Sequence, residues 1–333
     1  MQLRGPGRHA HGRWVTTQQS SQRSPRRRGS ALTRRLSAVR SLAAIGTALT
    51  LFLAGCATDT VRTLEAVPTE TEPSQALLTE PDQPRYRLAP PADPTSVTIP
   101  NTSYYGWALL DRATGTITGS PNAASEGNTV ESMIKPWIVA DYLRQSAENG
   151  DVPQEETLEQ LTLAIVDSND PVAHYYYVLG GEDDVVRRLI AICGLSDVTI
   201  RSGEWWSTWM TPVDAVRYGE CLADGRAAGP RWTSWLLKVM TEVRGSVYEQ
   251  ISGEVQGGRW GIIDGLPPEL ASRISIKNGY TEYVDGWHVN CLAIHEDWIL
   301  AVMMRSWAGL AGAADGCAMV ARDMVQDDGP PPS

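Results

Sequence analysis

The chain has 333 residues, of which 42% are hydrophobic and 20% are charged, and its formal net charge is −10. This length is enough for one large domain or two small ones, with a substantial core. Residues 1–55 contain ten arginines and no acidic residue, so 19 basic and 39 acidic residues remain in the rest of the chain. That acidic remainder lacks the basic surface needed to bind nucleic acid, and it would not adhere to anionic lipid by charge.

The first 55 residues have the pattern of a secretory signal. A basic stretch ends at Arg40, and an apolar run over 42–54 follows it. A basic region, a short apolar region and small residues before a cleavage point are typical of signal peptides, and the run is too short to span a bilayer comfortably. We therefore predict a signal peptide at 1–55. The long basic region leaves open whether the true start codon lies downstream of Met1.

The letters LAGC at the end of this segment resemble the lipobox of bacterial lipoproteins. The resemblance implies cleavage before Cys56 and lipidation of its thiol. We therefore expect an exported protein that is anchored to the outer face of the cell membrane only by lipid. An ordinary signal peptide followed by a chance cysteine is the alternative interpretation.

The segment 56–100 is predicted to be a tether, because it contains eight of the 21 prolines among scattered Thr and Glu residues. Such a composition buries too little apolar surface to fold and keeps the chain extended. A folded domain is predicted at 101–326, and a disordered tail at 327–333.

Within the predicted domain, strands come first and last. The segments 104–111 and 116–119 read as a hairpin. Apolar spacing then predicts helices after the letters ESMIKPW and at 155–166, 171–181, 183–193, 211–225 and 231–244. The pattern changes to three consecutive strands at 273–280, 285–296 and 297–307, and a helix is predicted at 308–325. This order predicts an α/β (α+β) fold: an antiparallel sheet of about five strands, flanked by helices, with a mostly helical subdomain.

If Cys56 is lipidated, four cysteines remain in the folded region, an even number that suits an oxidising compartment. Three pairings are possible, and we favour Cys193–Cys221 with Cys291–Cys317 because each joins elements that are neighbours along the chain. Four buried free thiols are the alternative.

Lysine is rare in this chain and marks a candidate catalytic pair. Only Lys135, Lys238 and Lys277 are lysines among 29 basic residues, and lysine, unlike arginine, can lose its proton when it is buried. Ser132 and Lys135 are one helical turn apart, and Pro136 indicates that the helix begins there. A serine at a helix entrance beside an amine that can be neutral has the elements of an activated nucleophile. A helix-entry serine with a surface lysine is the alternative.

Two further motifs follow in order, DSNDPVAH at 167–174 and ISIKNGY at 274–280. Together with Ser132–x–x–Lys135 they resemble the S-x-x-K, S-D-N and K-T-G motifs of the penicillin-recognising serine enzymes, the class A β-lactamases and D,D-peptidases. The resemblance covers about residues 100–326 and implies the β-lactamase/transpeptidase fold.

The resemblance also implies a role for each motif residue. Ser132 would be the acylated nucleophile and Lys135 its base or proton relay. Ser168 would pass a proton to the leaving nitrogen, and Lys277 would hold the carboxylate of the substrate. The backbone N–H groups of Ser132 and Tyr280 would form the oxyanion hole.

The motifs depart from the family pattern at several positions. At the position before Gly279, Asn278 replaces the usual Thr or Ser. Asn278 would still line the substrate site. Asp170 stands where Asn is usual if Ser168 fills the serine position. A register shifted by one residue, with Asp167 and Asn169 in the motif, stays open, although we prefer the first because it keeps the serine.

Deacylation poses a separate question, since no E-x-x-L-N sequence precedes the helix predicted at 211–225. Glu204 is the only acid in that region that could activate water. Without such a base the acyl-enzyme would be long-lived, and we expect slow or absent penicillin hydrolysis.

The other side chains indicate no further chemistry. The five histidines show no metal-ligand spacing, and no G-x-S-x-G elbow is present, so no metal or cofactor is expected. The aromatic residues at 175–177 and the tryptophans Trp205, Trp206 and Trp209 either fill the core or stack on a sugar or peptide.

Three functional hypotheses follow. The leading one is an exported, lipid-anchored serine hydrolase, monomeric, that forms an acyl-enzyme with β-lactams or with D-Ala-D-Ala-type peptides of peptidoglycan. The second is a non-catalytic lipoprotein that binds cell-wall peptides in a degenerate penicillin-binding fold. The third is a disulfide-stapled lipoprotein whose function lies on its surface. Lysine at both 135 and 277, in a chain that otherwise uses arginine, favours the first, because a scaffold has no need of an amine that can deprotonate.

Overall fold

A computed structural model describes residues 86–253 and 256–327 of the chain. The predicted signal peptide at 1–55, the predicted lipidation site Cys56 and most of the tether predicted at 56–100 lie outside the described residues. Among the helices in the described ranges, none has the length and apolar character needed to cross a membrane.

Strands open the fold, a mainly helical block follows, and three consecutive strands, a helix and a short strand close it. In chain order the elements are β1 (Tyr86–Leu88), β2 (Thr102–Asp111), β3 (Ile117–Gly119), β4 (Asn128–Thr129), α1 (Lys135–Glu148), α2 (Glu155–Val166), α3 (Asp170–Leu179), α4 (Asp183–Cys193), β5 (Val198–Thr199), β6 (Trp209–Met210), α5 (Pro212–Ala223), α6 (Thr233–Thr241), α7 (Val247–Ser252), α8 (Pro268–Ala271), β7 (Ser275–Tyr283), β8 (Gly286–Ile294), β9 (Trp298–Ser306), α9 (Gly309–Met324) and β10 (Val325–Asp327).

The main sheet has five antiparallel strands in the order β3–β2–β9–β8–β7. Strands from the start of the domain therefore pair with strands from its end, as the sequence predicted. The hairpin β2–β3 and the three consecutive strands β7, β8 and β9 are confirmed. Strand β7 lies at the edge of the sheet, so half of its backbone N–H and C=O groups point away from β8.

Helices α5 and α9 cover opposite faces of this sheet. A Cβ on Gly219 of α5 would lie 2.7 Å from Ile299 and 3.2 Å from Leu292, so this helix packs tightly against β8 and β9. On α9, Cys317 is bonded to Cys291 of β8. Because consecutive strand residues point to opposite faces, Cys291 and Leu292 place the two helices on different sides. The predicted sheet with flanking helices is therefore confirmed.

The disulfides Cys193–Cys221 and Cys291–Cys317 are both present, which is the favoured pairing. The first joins the end of α4 to α5, and the second joins β8 to α9. Four free thiols, the alternative, is therefore wrong. Two disulfides are typical of proteins that fold in an oxidising compartment.

The folded region extends beyond both predicted boundaries. Strand β1 pairs with β10, with Leu88 opposite Val325, and Leu88, Val97 and Ile99 are buried. The boundaries at 101 and 326 were therefore wrong, because apolar residues between the prolines of 86–100 pack on the domain and β10 includes residue 327. Short strands carry too few residues to show a period, which is why β1 and β10 were not predicted.

The helical part of the domain is held to the sheet through Tyr218 of α5, which is fully buried. Its hydroxyl donates to Met133 O at 3.1 Å and accepts from Trp137 N at 3.2 Å. Helix α1 directly follows the turn that contains Ser132, called the serine turn below. These two hydrogen bonds therefore fix the position of the serine turn.

Candidate active site

Ser132 lies in a single 3₁₀ turn, Glu131–Ile134, that leads into α1 at Lys135. Pro136 sits in the first turn of α1, where its missing N–H costs nothing. Ser132 is partly exposed and lines two cavities of about 700 and 680 Å³ that share Asp170 and Tyr280. The sequence prediction that Ser132 stands at a helix entrance is confirmed, and the cavities make its hydroxyl side accessible to a ligand.

Lys135 is completely buried beneath the second motif. Its Nζ donates to Ser168 O, to Ser168 Oγ at 2.9 Å and to Asp170 Oδ1 at 2.5 Å. Burial lowers the pKa of the Lys135 ammonium, and the Asp170 carboxylate opposes that shift. The Nζ also lies 5.5 Å from the ring centroid of Trp205. Lys135 is therefore a buried amine whose proton is held mainly by one exposed carboxylate.

Ser168 connects the two buried lysines. Its Oγ lies 2.9 Å from Lys135 Nζ and 3.1 Å from Lys277 Nζ. The φ of Ser168 is 53°, a left-handed conformation that is unfavourable for a residue with a Cβ atom. A hydroxyl within hydrogen-bond distance of two amines can pass a proton between them.

The geometry agrees with the register that places Ser168 and Asp170 in the second motif. Asn169 instead caps α3, where its Oδ1 accepts from Val172 N at 3.0 Å. Asp167 pairs with Arg244 through bonds of 2.6 and 2.7 Å. The side chains of the alternative register therefore have structural partners away from the lysines.

Lys277 of β7 is completely buried. Besides Ser168 Oγ, its Nζ donates to Asn278 O at 3.0 Å and Gly257 O at 3.4 Å. Burial lowers its pKa well below the usual range, and the neighbouring Lys135 lowers it further. Lys277 is therefore a second buried amine at Ser168, although it lines neither cavity that contains Ser132.

Gly279 lets β7 approach the serine turn closely. A Cβ at this position would lie 2.3 Å from Val130 O, 2.6 Å from Met133 N and 2.8 Å from Ser132 N. Contacts this short do not occur between real atoms, so only glycine fits. The sequence prediction placed Gly279 against a ligand, whereas here it packs against the backbone of Ser132.

Asn278 of β7 is buried. Its amide Nδ2 donates to Gly258 O at 2.8 Å and Trp260 O at 2.7 Å, and it lines neither cavity that contains Ser132. The structure thus does not bring the Asn278 side chain to the site, although strand alternation places it on the same face of β7 as Tyr280. The reason is that its amide is bonded to the backbone of the segment before α8.

Tyr280 lines both cavities. Its hydroxyl accepts from Gln250 Nε2 at 2.9 Å and donates to Gln256 Oε1 at 3.1 Å. These bonds hold the ring against the edge of the first cavity, so Tyr280 forms a wall of the site as predicted from the third motif.

The predicted acid Glu204 and the predicted aromatic cluster differ in whether they reach the cavities. Glu204 pairs with Arg201 at 3.1 Å, and its side chain is 38% exposed. It lines neither cavity that contains Ser132, so the predicted water-activating role of Glu204 is wrong for this conformation. Of the predicted aromatic cluster, Trp205 and Trp206 line the second cavity, whereas Tyr176 and Tyr177 are core residues.

The sequence analysis missed Glu131, which is only 2% exposed yet lines the second cavity beside Ser132. Its carboxylate accepts from Thr281 Oγ1 at 2.7 Å and Tyr283 Oη at 3.1 Å. Burial raises the pKa of this carboxyl. The available signal was an acid placed between the apolar Val130 and the candidate nucleophile.

The chain is similar to known proteins both in sequence and in structure. No protein-family model matches the chain. A protein called "Putative lipoprotein LppW", from Mycobacterium tuberculosis and Mycobacterium bovis, is 30% identical over 178 residues, which cover 52% of each chain. The chain thus spans about half the length of the curated relatives it matches.

Solved β-lactamases share the architecture. A β-lactamase from Chitinophaga pinensis is 14% identical with a TM-score of 0.52, covering 69% of this chain and 94% of its own. One from Xanthomonas campestris is 16% identical, with a TM-score of 0.51 and coverage of 67% and 91%. The TLA-1 extended-spectrum β-lactamase is 12% identical, with a TM-score of 0.54 and coverage of 67% and 92%.

Sequence identities this low support a shared fold, but they do not establish a shared reaction. The matched share agrees with the extent of the described domain, and the five-stranded sheet with its flanking helices is common to all. The folded part of this chain has the class A β-lactamase fold, the fold of the penicillin-recognising serine enzymes.

Proposed function

We propose that this protein is an exported, lipid-anchored serine hydrolase that forms an acyl-enzyme with β-lactams or with D-Ala-D-Ala-type peptides. The proposal rests on the meeting of three separate motifs beside one cavity. Ser168 Oγ lies within hydrogen-bond distance of both Lys135 and Lys277, and Ser132 lines the same cavity as Ser168. A scaffold protein has no need to bury two lysines at one hydroxyl, because burial of a charge is costly.

Each group has a role in this proposal. Neutral Lys135 takes the proton of the Ser132 hydroxyl as its oxygen attacks the substrate carbonyl. Backbone N–H groups of Ser132 and Tyr280 stabilise the oxyanion. Ser168 passes the proton to the leaving nitrogen, and Lys277 attracts the substrate carboxylate.

The location forms part of the proposal. The 30% identical relative is called a lipoprotein, and the two disulfides suit an oxidising compartment. Cys56 is the residue we propose to carry the lipid, on the outer face of the membrane. With Glu204 turned to Arg201, we expect the penicilloyl enzyme to hydrolyse slowly.

The first test is labelling with a fluorescent penicillin followed by intact-mass spectrometry. The parent protein and the exposed-serine control Ser125→Ala are expected to gain one probe mass, whereas Ser132→Ala gains none. If folded parent protein gains no mass, the acyl-enzyme proposal fails. The non-catalytic binding lipoprotein would then be favoured, an alternative that the Lys135–Asp170 ion pair supports because the carboxylate stabilises the protonated form of Lys135 against the effect of burial.

That ion pair leads to a second prediction. Asp170→Asn is expected to speed acylation at neutral pH by roughly threefold to tenfold, since removing the carboxylate lowers the pKa of Lys135 and raises its neutral fraction. The gain stays modest because the Asp170 side chain is 74% exposed. Acylation rates measured across pH should rise at lower pH in the variant than in the parent.

The control for this experiment is Asp315→Asn, which removes a surface partner of Arg322 and should leave the profile in place. An Asp170→Asn profile that coincides with the parent, or moves to higher pH, would contradict the assignment of Lys135 as the base.

A further inference from the structure

Glu131 occupies an unusual position immediately before Ser132. It has a φ of 52°, which is unfavourable for a residue with a Cβ atom and persists only where the surroundings enforce it. The carboxyl group is nevertheless buried, with an exposure of 2% for the residue. A strained backbone and a buried acid together are features that concentrate at functional sites.

The carboxylate is held by hydroxyl groups from two sides. Thr281 Oγ1 and Tyr283 Oη of β7 donate to its two oxygens at 2.7 and 3.1 Å, and the Thr129 hydroxyl of β4 is close enough to the carboxyl group to lower its pKa. None of these partners is a cation. The group is therefore oriented firmly and keeps the ability to gain or lose a proton.

A row of polar side chains leads from Glu131 to the surface. Thr129 Oγ1 lies 2.7 Å from His288 Nδ1, and His288 Nε2 lies 3.1 Å from Asp285 Oδ1. The Asp285 side chain is 52% exposed. Since a hydroxyl can both donate and accept, Thr129 can relay a proton from Glu131 to His288 by reorienting.

Glu131 and Ser132 line the same cavity of about 680 Å³, whose other walls include Trp205, Tyr280 and Thr281. The cavity has room for an acyl group and a water molecule. Among the described acids, Glu131 is the buried one beside the nucleophile, in contrast to Glu204, which pairs with Arg201.

We propose that Glu131 is the general base for hydrolysis of the acyl-enzyme, and that Thr129, His288 and Asp285 carry the proton away. This inference rests on the proposed acyl-enzyme. A water in the cavity gives a proton to the Glu131 carboxylate while its oxygen bonds to the acyl carbon. Lys135, which is neutral because its proton went to the leaving nitrogen, takes a proton from solvent by way of the exposed Asp170 carboxylate. The C–O bond to Ser132 then breaks, the serine oxygen takes that proton, and a carboxylic acid leaves. Loss of the Glu131 proton to solvent through the relay restores the resting state and balances the proton that Lys135 took up.

The pH dependence follows from the groups that face Glu131. These are Asp170 of α3, Tyr283 of β7 and, beyond Thr129, His288 of β8. Burial raises the pKa of Glu131 and Asp170 raises it further, against the three hydroxyl groups. Because the base must be ionised, hydrolysis should increase with pH through this raised pKa and then level off.

The test follows the lifetime of the penicilloyl adduct on the full protein after excess fluorescent penicillin is removed. Native parent adduct is expected to decay faster than the same ester in urea-unfolded protein. Glu131→Gln, which keeps the size and one of the two acceptor oxygens, should slow native decay by about 100-fold while acylation stays within about threefold of the parent. Decay in native parent no faster than in urea, or equal decay in parent and variant, would overturn the proposal.

Further variants separate catalysis from structure. Glu204→Gln should leave the decay unchanged, and Thr129→Val should slow it, since the relay is cut. A structural role for Glu131 would leave the pH dependence of decay in place, whereas a base predicts its loss in Glu131→Gln. Equal decay rates for Thr129→Val and the parent would rule out the relay. A parent that forms no adduct rejects the acyl-enzyme itself, a result distinct from an adduct whose decay ignores Glu131.

Discussion

Replacing Lys135 by methionine is expected to slow acylation of Ser132 by about 100-fold or more, the usual contribution of a general base. Lys135 is buried, and burial lowers its pKa from the usual 10.5, so its amine is neutral at a lower pH than a free lysine would be. Methionine fills the same apolar space but accepts no proton. The rate of adduct formation under excess fluorescent penicillin, followed by time-resolved intact mass, gives the comparison.

Lys135→Arg separates charge from proton transfer. Arginine keeps a positive charge near Asp170 but does not deprotonate in proteins, so the variant should be as slow as Lys135→Met. Lys238→Met is the matched control, because Lys238 is an exposed lysine of α6 and its loss should not alter the rate. A Lys135→Arg protein that acylates within about fivefold of the parent would show that the lysine supplies charge rather than a base.

The parts of the site that were predictable are those set by local chemistry. Pro136 restricts where α1 can begin, which placed Ser132 at a helix entrance. The rarity of lysine directed attention to Lys135 and Lys277, and a charge that must be buried favours the residue able to lose its proton. Their meeting at Ser168 depends on the tertiary position of the loop between α2 and α3 beside Lys277 of β7 and was reached only through the resemblance to a known family.

Other features depended on information that local patterns do not carry. The position of the Asn278 amide depends on the carbonyl groups of Gly258 and Trp260, which the sequence around β7 does not reveal. The burial of Glu131 was likewise unpredictable, because a left-handed φ of 52° at a residue with a Cβ cannot be read from composition. The start of the fold near Tyr86 depends on pairing with β10 at the far end of the chain.

The other large effect is expected from Gly279→Ala. The added methyl group would lie 2.3 Å from Val130 O and 2.6 Å from Met133 N, so β7 and the serine turn must move apart. Overpacking of this kind costs about 1–3 kcal/mol, which corresponds to a fall in Tm of roughly 2–12 °C for a domain of this size. Differential scanning calorimetry of parent and variant measures the shift.

The loss of acylation in Gly279→Ala should exceed what the lower stability explains. Ser132 N lies 2.8 Å from the new methyl position, and this N–H and that of Tyr280 form the proposed oxyanion hole on either side of Gly279. Displacement by about 1 Å at such a site lowers rates by about 100-fold, even at a temperature where the variant is fully folded. Gly115→Ala is the control, since its Cβ meets nothing within 4 Å although its φ is +71°. It should lose some stability and keep its acylation rate. If Gly279→Ala is folded and acylates like the parent, the close approach of β7 to Ser132 has no part in the chemistry, and the oxyanion would have to be stabilised elsewhere.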